Sequence, residues 1–113
     1  EAYYAAAFHE LIHWTGGAGR LCRDSIRDYH EGKDIRSQEE LVAEMGAAFL
    51  CQMAALDTSE TLQNSTAYIQ SWLKPLQNNP KWVLKASKQA KDAVEFVLSG
   101  KLSEGKARAA ATA

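Results

Sequence analysis

Two histidines four residues apart limit the folds open to this chain more than any other feature of its sequence. They lie in the segment 2–15, AYYAAAFHELIHWT, whose alanine, leucine and glutamate residues favour a helix that a Gly-Gly pair then ends. Residues four apart on a helix share a face, with Cβ atoms about 6 Å apart, so the imidazoles of His9 and His13 can reach one Zn²⁺ ion. Glu10 is not placed as a ligand, but it is a candidate general base for activating water.

A catalytic zinc site needs a third protein ligand and an open position for water. Extension of the motif to HExxHxxGxxH fails, because Gly19 stands where the third histidine would be. His30 is a candidate without a helix to orient it. Glu40 and Glu44 are better candidates, since they lie one turn apart on a second predicted helix, and one could bind zinc while the other accepts a hydrogen bond from a ligand histidine. Glu39 points about 100° away from them and is a weaker candidate.

Glu40 also has a purely structural interpretation. Ser37 and Glu40 match a capping box, in which the glutamate side chain bonds back to the start of its own helix. Glu44 could equally be an ordinary solvated acid on the helix surface. The residues by themselves leave these interpretations open.

The rest of the chain predicts a mainly α fold with about four helices in one domain. After the first helix, the predicted segments are 37–56, 66–76 and 80–98, with Asn64 or Ser65 as the cap of the third. Residues 16–36 are predicted to form a long loop, residues 1–100 the domain, and residues 101–113 a disordered tail. Small residues in the second helix, Ala43, Gly46 and Ala47, would let another helix approach closely.

Composition and charge exclude several classes of protein. The net charge is −1, and two cysteines do not make a disulfide framework. No apolar run is long enough to cross a membrane, so we expect a cytoplasmic protein with no membrane partner. The fourth helix carries a basic face, Lys81, Lys85, Lys88 and Lys91, with Trp82 nearby for stacking on nucleic acid, but a solvated face and a core Trp82 are favoured.

These motifs together resemble a known family. FHELIHWTG, then RL, EELVAEMGAAFLC and NSTAYIQSWLK are similar to the C-terminal zincin-like metallopeptidase domain of ArdC-type antirestriction proteins. The same domain occurs in plasmid and phage polyvalent proteins, including TraC-like primases. The resemblance extends from about Tyr3 to about Val97.

The resemblance implies a gluzincin-like site with two histidines and a downstream glutamate. The more distantly similar ImmA/IrrE-type metallopeptidases carry their ligand glutamate in a Glu-x-x-Ala-Asp/Asn helix, which residues 40–44, ELVAE, match in shape. This favours Glu40 as the third zinc ligand and Glu44 as the partner of a ligand histidine. Zincins place a β-sheet before the motif helix, so we expect a fragment of a longer protein from which that sheet is largely absent.

We therefore expect a zinc-dependent metallopeptidase-like domain of an antirestriction or mobile-element protein. Zinc-activated water would attack a peptide bond of a peptide or protein substrate, with Glu10 as general base. Tyr29, His30 and Arg20 are candidates for stabilising the oxyanion. Single-stranded DNA would be bound only through a domain outside this chain, as in ArdC-type proteins. The alternatives are a non-catalytic zinc-containing module that binds DNA or a host protein, and a helical domain without metal.

Overall fold

The computed structural model describes residues 2–56, 59–77 and 79–100, and these residues form helices and turns. The helices are α1 (Ala2–Thr15), α2 (Asp24–Arg27), α3 (Lys33–Met53), α4 (Ser59–Leu73) and α5 (Pro80–Ser99). Short 3-10 turns lie at Tyr29–Glu31 and Lys74–Leu76. Since the described part of the chain contains no strand, the predicted mainly α fold is confirmed. No helix in that part is long and apolar enough to cross a bilayer.

The longest helix, α3, is the centre of the fold, since α1, α4 and α5 all pack against it. Its apolar residues meet those of α1 and α5 in a single core. The largest contributions come from buried aliphatic side chains: Ile12, Leu41, Val42, Leu50, Leu76 and Val94. Alanines at positions 86, 90 and 93 form the buried face of α5 and keep it close to α3.

Helices α1 and α3 approach each other closely where Ile12 meets Gly46. A Cβ atom added to Gly46 would lie 2.8 Å from both Cδ1 and Cγ1 of Ile12, nearer than side chains normally come. Ala43 and Ala47 on the same helix are also buried. The prediction that small residues admit another helix is therefore confirmed, and the close approach brings the histidines of α1 within reach of α3.

Helix α3 begins at Lys33, four residues before its predicted start at Ser37. Gly32 immediately precedes the helix, and the negative charge of Asp34 in the first turn interacts favourably with the positive end of the helix dipole. Ser37 is therefore inside the helix and buried, so it cannot be an N-cap. The capping-box interpretation of Glu40 is wrong for this reason.

Helix α4 also begins earlier than predicted, at Ser59, so Asn64 and Ser65 lie within it and do not cap it. The residues before Thr66 are mostly polar, and this is why the sequence predicts a start only after Asn64 or Ser65. In the structure Gln63 and Asn64 are exposed, as polar residues on the outer face of a helix are. Helix α5 agrees closely with its prediction, because Pro80 begins it and Gly100, in the left-handed conformation at φ +69°, ends it.

The segment predicted as a long loop, residues 16–36, is instead an ordered connection. It contains α2, one 3-10 turn and the first residues of α3, and it packs back on α3. Leu21, Arg23 and Ser25 are buried within it. The sequence does not predict these helical elements, because polar contacts and not an apolar stripe hold the buried residues of this segment in place. The predicted disordered tail, 101–113, lies outside the described residues.

Candidate metal centre

The structure brings together one ligand atom each from His9, His13 and Glu40, all within 4.8 Å of one another. The Nε2 atom of His9 lies 3.0 Å from Nε2 of His13 and 3.0 Å from Oε2 of Glu40. The Nε2 atom of His13 lies 3.5 Å from Oε1 of Glu40. These three side chains are half-buried, so the cluster is open to solvent on one side.

The far nitrogen of each imidazole also meets a carboxylate. Nδ1 of His9 lies 3.1 Å from Oε1 of Glu44, and Nδ1 of His13 lies 2.7 Å from Oε2 of Glu39. A carboxylate at this distance accepts a hydrogen bond from Nδ1–H and so favours the tautomer whose Nε2 lone pair is free. Both Nε2 lone pairs then point toward the Glu40 carboxylate, and three electron-rich atoms share one small space.

This arrangement fits zinc in both chemistry and spacing. Two imidazole nitrogens and one carboxylate oxygen form a ligand set known from catalytic zinc sites. Ligand atoms at about 2.0–2.1 Å from a tetrahedral zinc ion are about 3.3 Å from each other. The two Nε2 atoms are 3.0 Å apart, and they lie 3.0 and 3.5 Å from different oxygens of Glu40, so these separations are close to that value.

The electrostatics of the cluster also favour a cation. Burial lowers the pKa of both imidazoles, but hydrogen bonds to Glu40 and Glu44 raise that of His9, and bonds to Glu39 and Glu40 raise that of His13, above their ordinary values. Burial raises the pKa of the Glu40 carboxyl, yet its contacts with both histidines hold it well below its usual range. The two Nε2 atoms are 3.0 Å apart, so they cannot both carry a proton directed at the other. One metal cation bound by both lone pairs fits this arrangement better than two protons.

Glu39, which the sequence ranked below its neighbours, is the most buried residue of the centre. Its carboxylate accepts hydrogen bonds from Nδ1 of His13, from Arg23 and from Ser25. Despite the 100° turn between Glu39 and Glu40, the His13 ring contacts both carboxylates. Arg23 is the sequence signal that could have indicated Glu39. It lies close to the RL segment of the family resemblance, and a buried arginine needs an acidic partner.

Tyr29 is another residue of the centre. Its hydroxyl donates a 2.5 Å hydrogen bond to Oε1 of Glu40. Burial and this contact raise the pKa of Tyr29 to about 12, so the hydroxyl keeps its proton. Of the other two oxyanion candidates, His30 is exposed beside the Tyr29 ring, and Arg20 bonds the backbone carbonyl of Trp14.

Glu10 follows His9 on α1, and its side chain is exposed. Among the residues that the structure describes, no side chain forms a hydrogen bond or an ion pair with it. The carboxylate is therefore accessible to solvent, one residue after His9 on α1.

The basic face of α5 is a solvated surface. Lys85 forms an ion pair with Asp24, Nζ to Oδ2 2.9 Å, and Lys91 pairs with Glu95 in the next turn. Trp82 is half-buried and packs against the core. These contacts agree with the interpretation that Trp82 belongs to the core.

A helix that carries His-Glu-x-x-His and crosses a second helix that supplies a glutamate is the arrangement of a zincin-like site. The family model for the zincin-like metallopeptidases called MPTase-PolyVal matches residues 1–89, and the chain belongs to that family. The resemblance predicted from the sequence is confirmed at this level.

Curated relatives agree with this assignment. The chain is similar to two proteins of Escherichia coli named DNA primase TraC, with 37% identity over 97 residues and 36% over 99 residues. It is also 29% identical over 96 residues to a protein of Sinorhizobium fredii (strain NBRC 101917 / NGR234) named uncharacterized protein y4eC. These matches cover 86%, 88% and 85% of the chain but only 9%, 7% and 30% of the relatives. No solved structure matches the chain.

Proposed function

We propose that this chain is a zinc-dependent peptidase domain, in which His9, His13 and Glu40 hold Zn²⁺. The observation that carries the proposal is the convergence of their three donor atoms, with each imidazole backed by a second carboxylate. When bound, zinc supplies Lewis-acid polarisation and makes water a nucleophile near neutral pH. The side chains of the centre then have to orient the substrate and move one proton.

Glu10 would move that proton. It would accept a proton from the attacking water and deliver it to the leaving amine of a peptide or protein substrate. Two features support this role: Glu10 directly follows His9 and is exposed, and no side chain of the described residues pairs with it. A hydrolysis that begins with one peptide bond and one water ends with one carboxylate and one amine, so Glu10 returns to its starting state.

Tyr29 is the best candidate for stabilising the oxyanion. Its hydroxyl already contacts the Glu40 carboxylate, and its raised pKa keeps it a hydrogen-bond donor. A substrate carbonyl that reached the cluster would meet this donor at its edge. Arg20 is engaged with Trp14, through a hydrogen bond and through the face of the indole ring, and is a weaker candidate.

The role of Glu10 is tested by substituting it without changing the ligands. In the chain purified without chelator, Glu10→Gln should retain the wild-type zinc content and lose hydrolysis of an unfolded protein substrate by at least about 100-fold. Glu95→Gln, an exposed acid on α5, is the matched control and should leave both unchanged. Hydrolysis at the wild-type rate in Glu10→Gln would contradict the proposed mechanism.

The named relatives favour a second candidate function. Two of them are named DNA primases, and this chain matches less than a tenth of their length. The domain could therefore be a non-catalytic zinc-containing module of a longer protein that acts on DNA, as in antirestriction or mobile-element systems. Zinc bound at full occupancy with no hydrolysis by the wild-type chain, in the same assay, would favour this function over the peptidase.

A further inference from the structure

Arg23 is a charged side chain placed where charges are costly. Only 3% of its side chain is exposed. A buried guanidinium destabilises a fold unless its N–H groups find acceptors. Nε and Nη2 of Arg23 donate to the two oxygens of Glu39, each over 2.9 Å, as a planar fork. Two further N–H groups reach the end of α1, where Nη2 bonds the Ile12 carbonyl and Nη1 bonds the Thr15 hydroxyl.

The Glu39 carboxylate is in turn held in one orientation. Oε1 accepts from Arg23 and from Ser25, and Oε2 accepts from Arg23 and from Nδ1 of His13. Four hydrogen bonds use the accepting capacity of a carboxylate, so the group cannot rotate without losing one. Arg23 and Ser25 therefore determine, through Glu39, the direction in which Nδ1 of His13 points.

The backbone of the chain leaves room for this guanidinium. A Cβ atom on Gly16 would lie 2.7 Å from both Cζ and Nη2 of Arg23, and 2.6 Å from Cγ1 of Ile26. The glycine that follows the His-Glu-x-x-His helix is thus needed where Arg23 crosses it. This observation is independent of the hydrogen bonds and points to the same residue.

Nδ1 of His9 instead meets Glu44, whose side chain is half-buried, whereas Glu39 is fully buried. We propose that Arg23 is a positioning residue of the metal centre, which holds the ring and tautomer of His13 through Glu39. The inference rests on the proposed function, since it assigns a role toward the same zinc.

Two variants separate positioning from folding. Arg23→Lys keeps the positive charge but cannot form the fork. The double variant Arg23→Met with Glu39→Met removes both buried charges, so neither is left unpaired, and exchanges of this kind are often neutral for stability. Asp24→Asn is the matched control, because Asp24 adjoins Arg23 in sequence but pairs with Lys85 on the exposed surface.

The measurements are the zinc dissociation constant, from competition with a chromophoric chelator, and the His13 Nδ1–H proton resonance of the zinc-loaded protein. Thermal unfolding of the metal-free chains verifies that each variant is folded. We expect zinc affinity about 10- to 100-fold weaker in both variants, with loss or displacement of the His13 resonance, and no change in Asp24→Asn.

Two results would overturn the inference, and they differ. If the wild-type chain binds zinc and the folded variants bind it within twofold with the same His13 resonance, Arg23 has no positioning role and the metal centre stands. If the wild-type chain does not bind zinc, the proposed function fails and this inference fails with it.

Discussion

At the scale of single residues, the centre depends on which nitrogen of each imidazole carries a proton. His9 and His13 each place Nδ1 against a carboxylate, which directs both Nε2 atoms to the same point. Glu40 supplies the third donor atom there. The α1 helix fixes the spacing of the histidines, but the carboxylates of α3 fix how their rings are turned.

Gly46 is the residue on which the approach of α1 to α3 depends. Gly46→Ala should destabilise the chain by about 1–3 kcal/mol, because the new methyl group would overlap Ile12 in the core. Denaturant unfolding of the metal-free chain measures this change.

We expect Gly46→Ala to change the stability in the opposite direction when the Ile12 side chain is shortened. In an Ile12→Ala background, Gly46→Ala should stabilise the chain by up to about 1 kcal/mol, since alanine favours a helix and the space is vacant. Equal effects of Gly46→Ala in both backgrounds would show that the contact with Ile12 does not limit the packing.

The residues of the centre differ in how far the sequence could predict them. The His9 and His13 pair follows from helix periodicity, and the family resemblance favours Glu40 over the alternatives. Periodicity gives no reason to choose Glu39, because it describes one helix and not the angle at which another helix crosses it. Contacts such as that of Arg23 with Glu39 join residues 16 positions apart and have no periodic signature.

At the scale of elements, the segment between α1 and α3 contacts the glutamates of the site. Through Ser25 and Tyr29, α2 and the following 3-10 turn contact the carboxylates of Glu39 and Glu40. Length and charge predicted a loop here, and the structure shows short helical elements instead. Hydrogen bonds to buried acids take the place of an apolar face in ordering this segment.

One ion pair connects this segment to α5. Nζ of Lys85 lies 2.9 Å from Oδ2 of Asp24, and about half of each side chain is exposed. The hydrogen bond from Lys85 lowers the pKa of the Asp24 carboxyl below its ordinary value. A lowered folded-state pKa means that the pair stabilises the fold above the unfolded pKa of about 3.9, and that this stability is lost as the pH falls through the folded value.

We therefore expect Asp24→Asn to cost about 0.2–1 kcal/mol at neutral pH and low salt. The difference from wild type should shrink to nothing as the pH falls below the range in which Asp24 is ionised. Urea unfolding at a series of pH values measures this difference. A difference that persisted unchanged in strong acid would mean that the ion pair is not its source.

At the scale of the whole molecule, α1, α4 and α5 pack around α3 and form a small core with a polar centre at its edge. The sequence predicted the bounds of α1 and α5 to within a residue. Glycines follow both helices, and Pro80 marks the start of α5. Periodicity misplaced the starts of α3 and α4, where polar residues on an outer helix face looked like breaks. A chain of 113 residues has a small core, so a metal bound to the folded state would add a substantial share of its stability.

The proposed metal centre is tested by the zinc content of the chain purified without chelator, for the wild type and for alanine substitutions of the three proposed ligands. We expect one zinc ion per chain in the wild type, and loss of tight binding in His9→Ala, His13→Ala and Glu40→Ala. Asp24→Asn should retain the ion. A wild-type chain without zinc, or a Glu40→Ala variant that binds zinc as tightly as the wild type, would contradict the proposed centre.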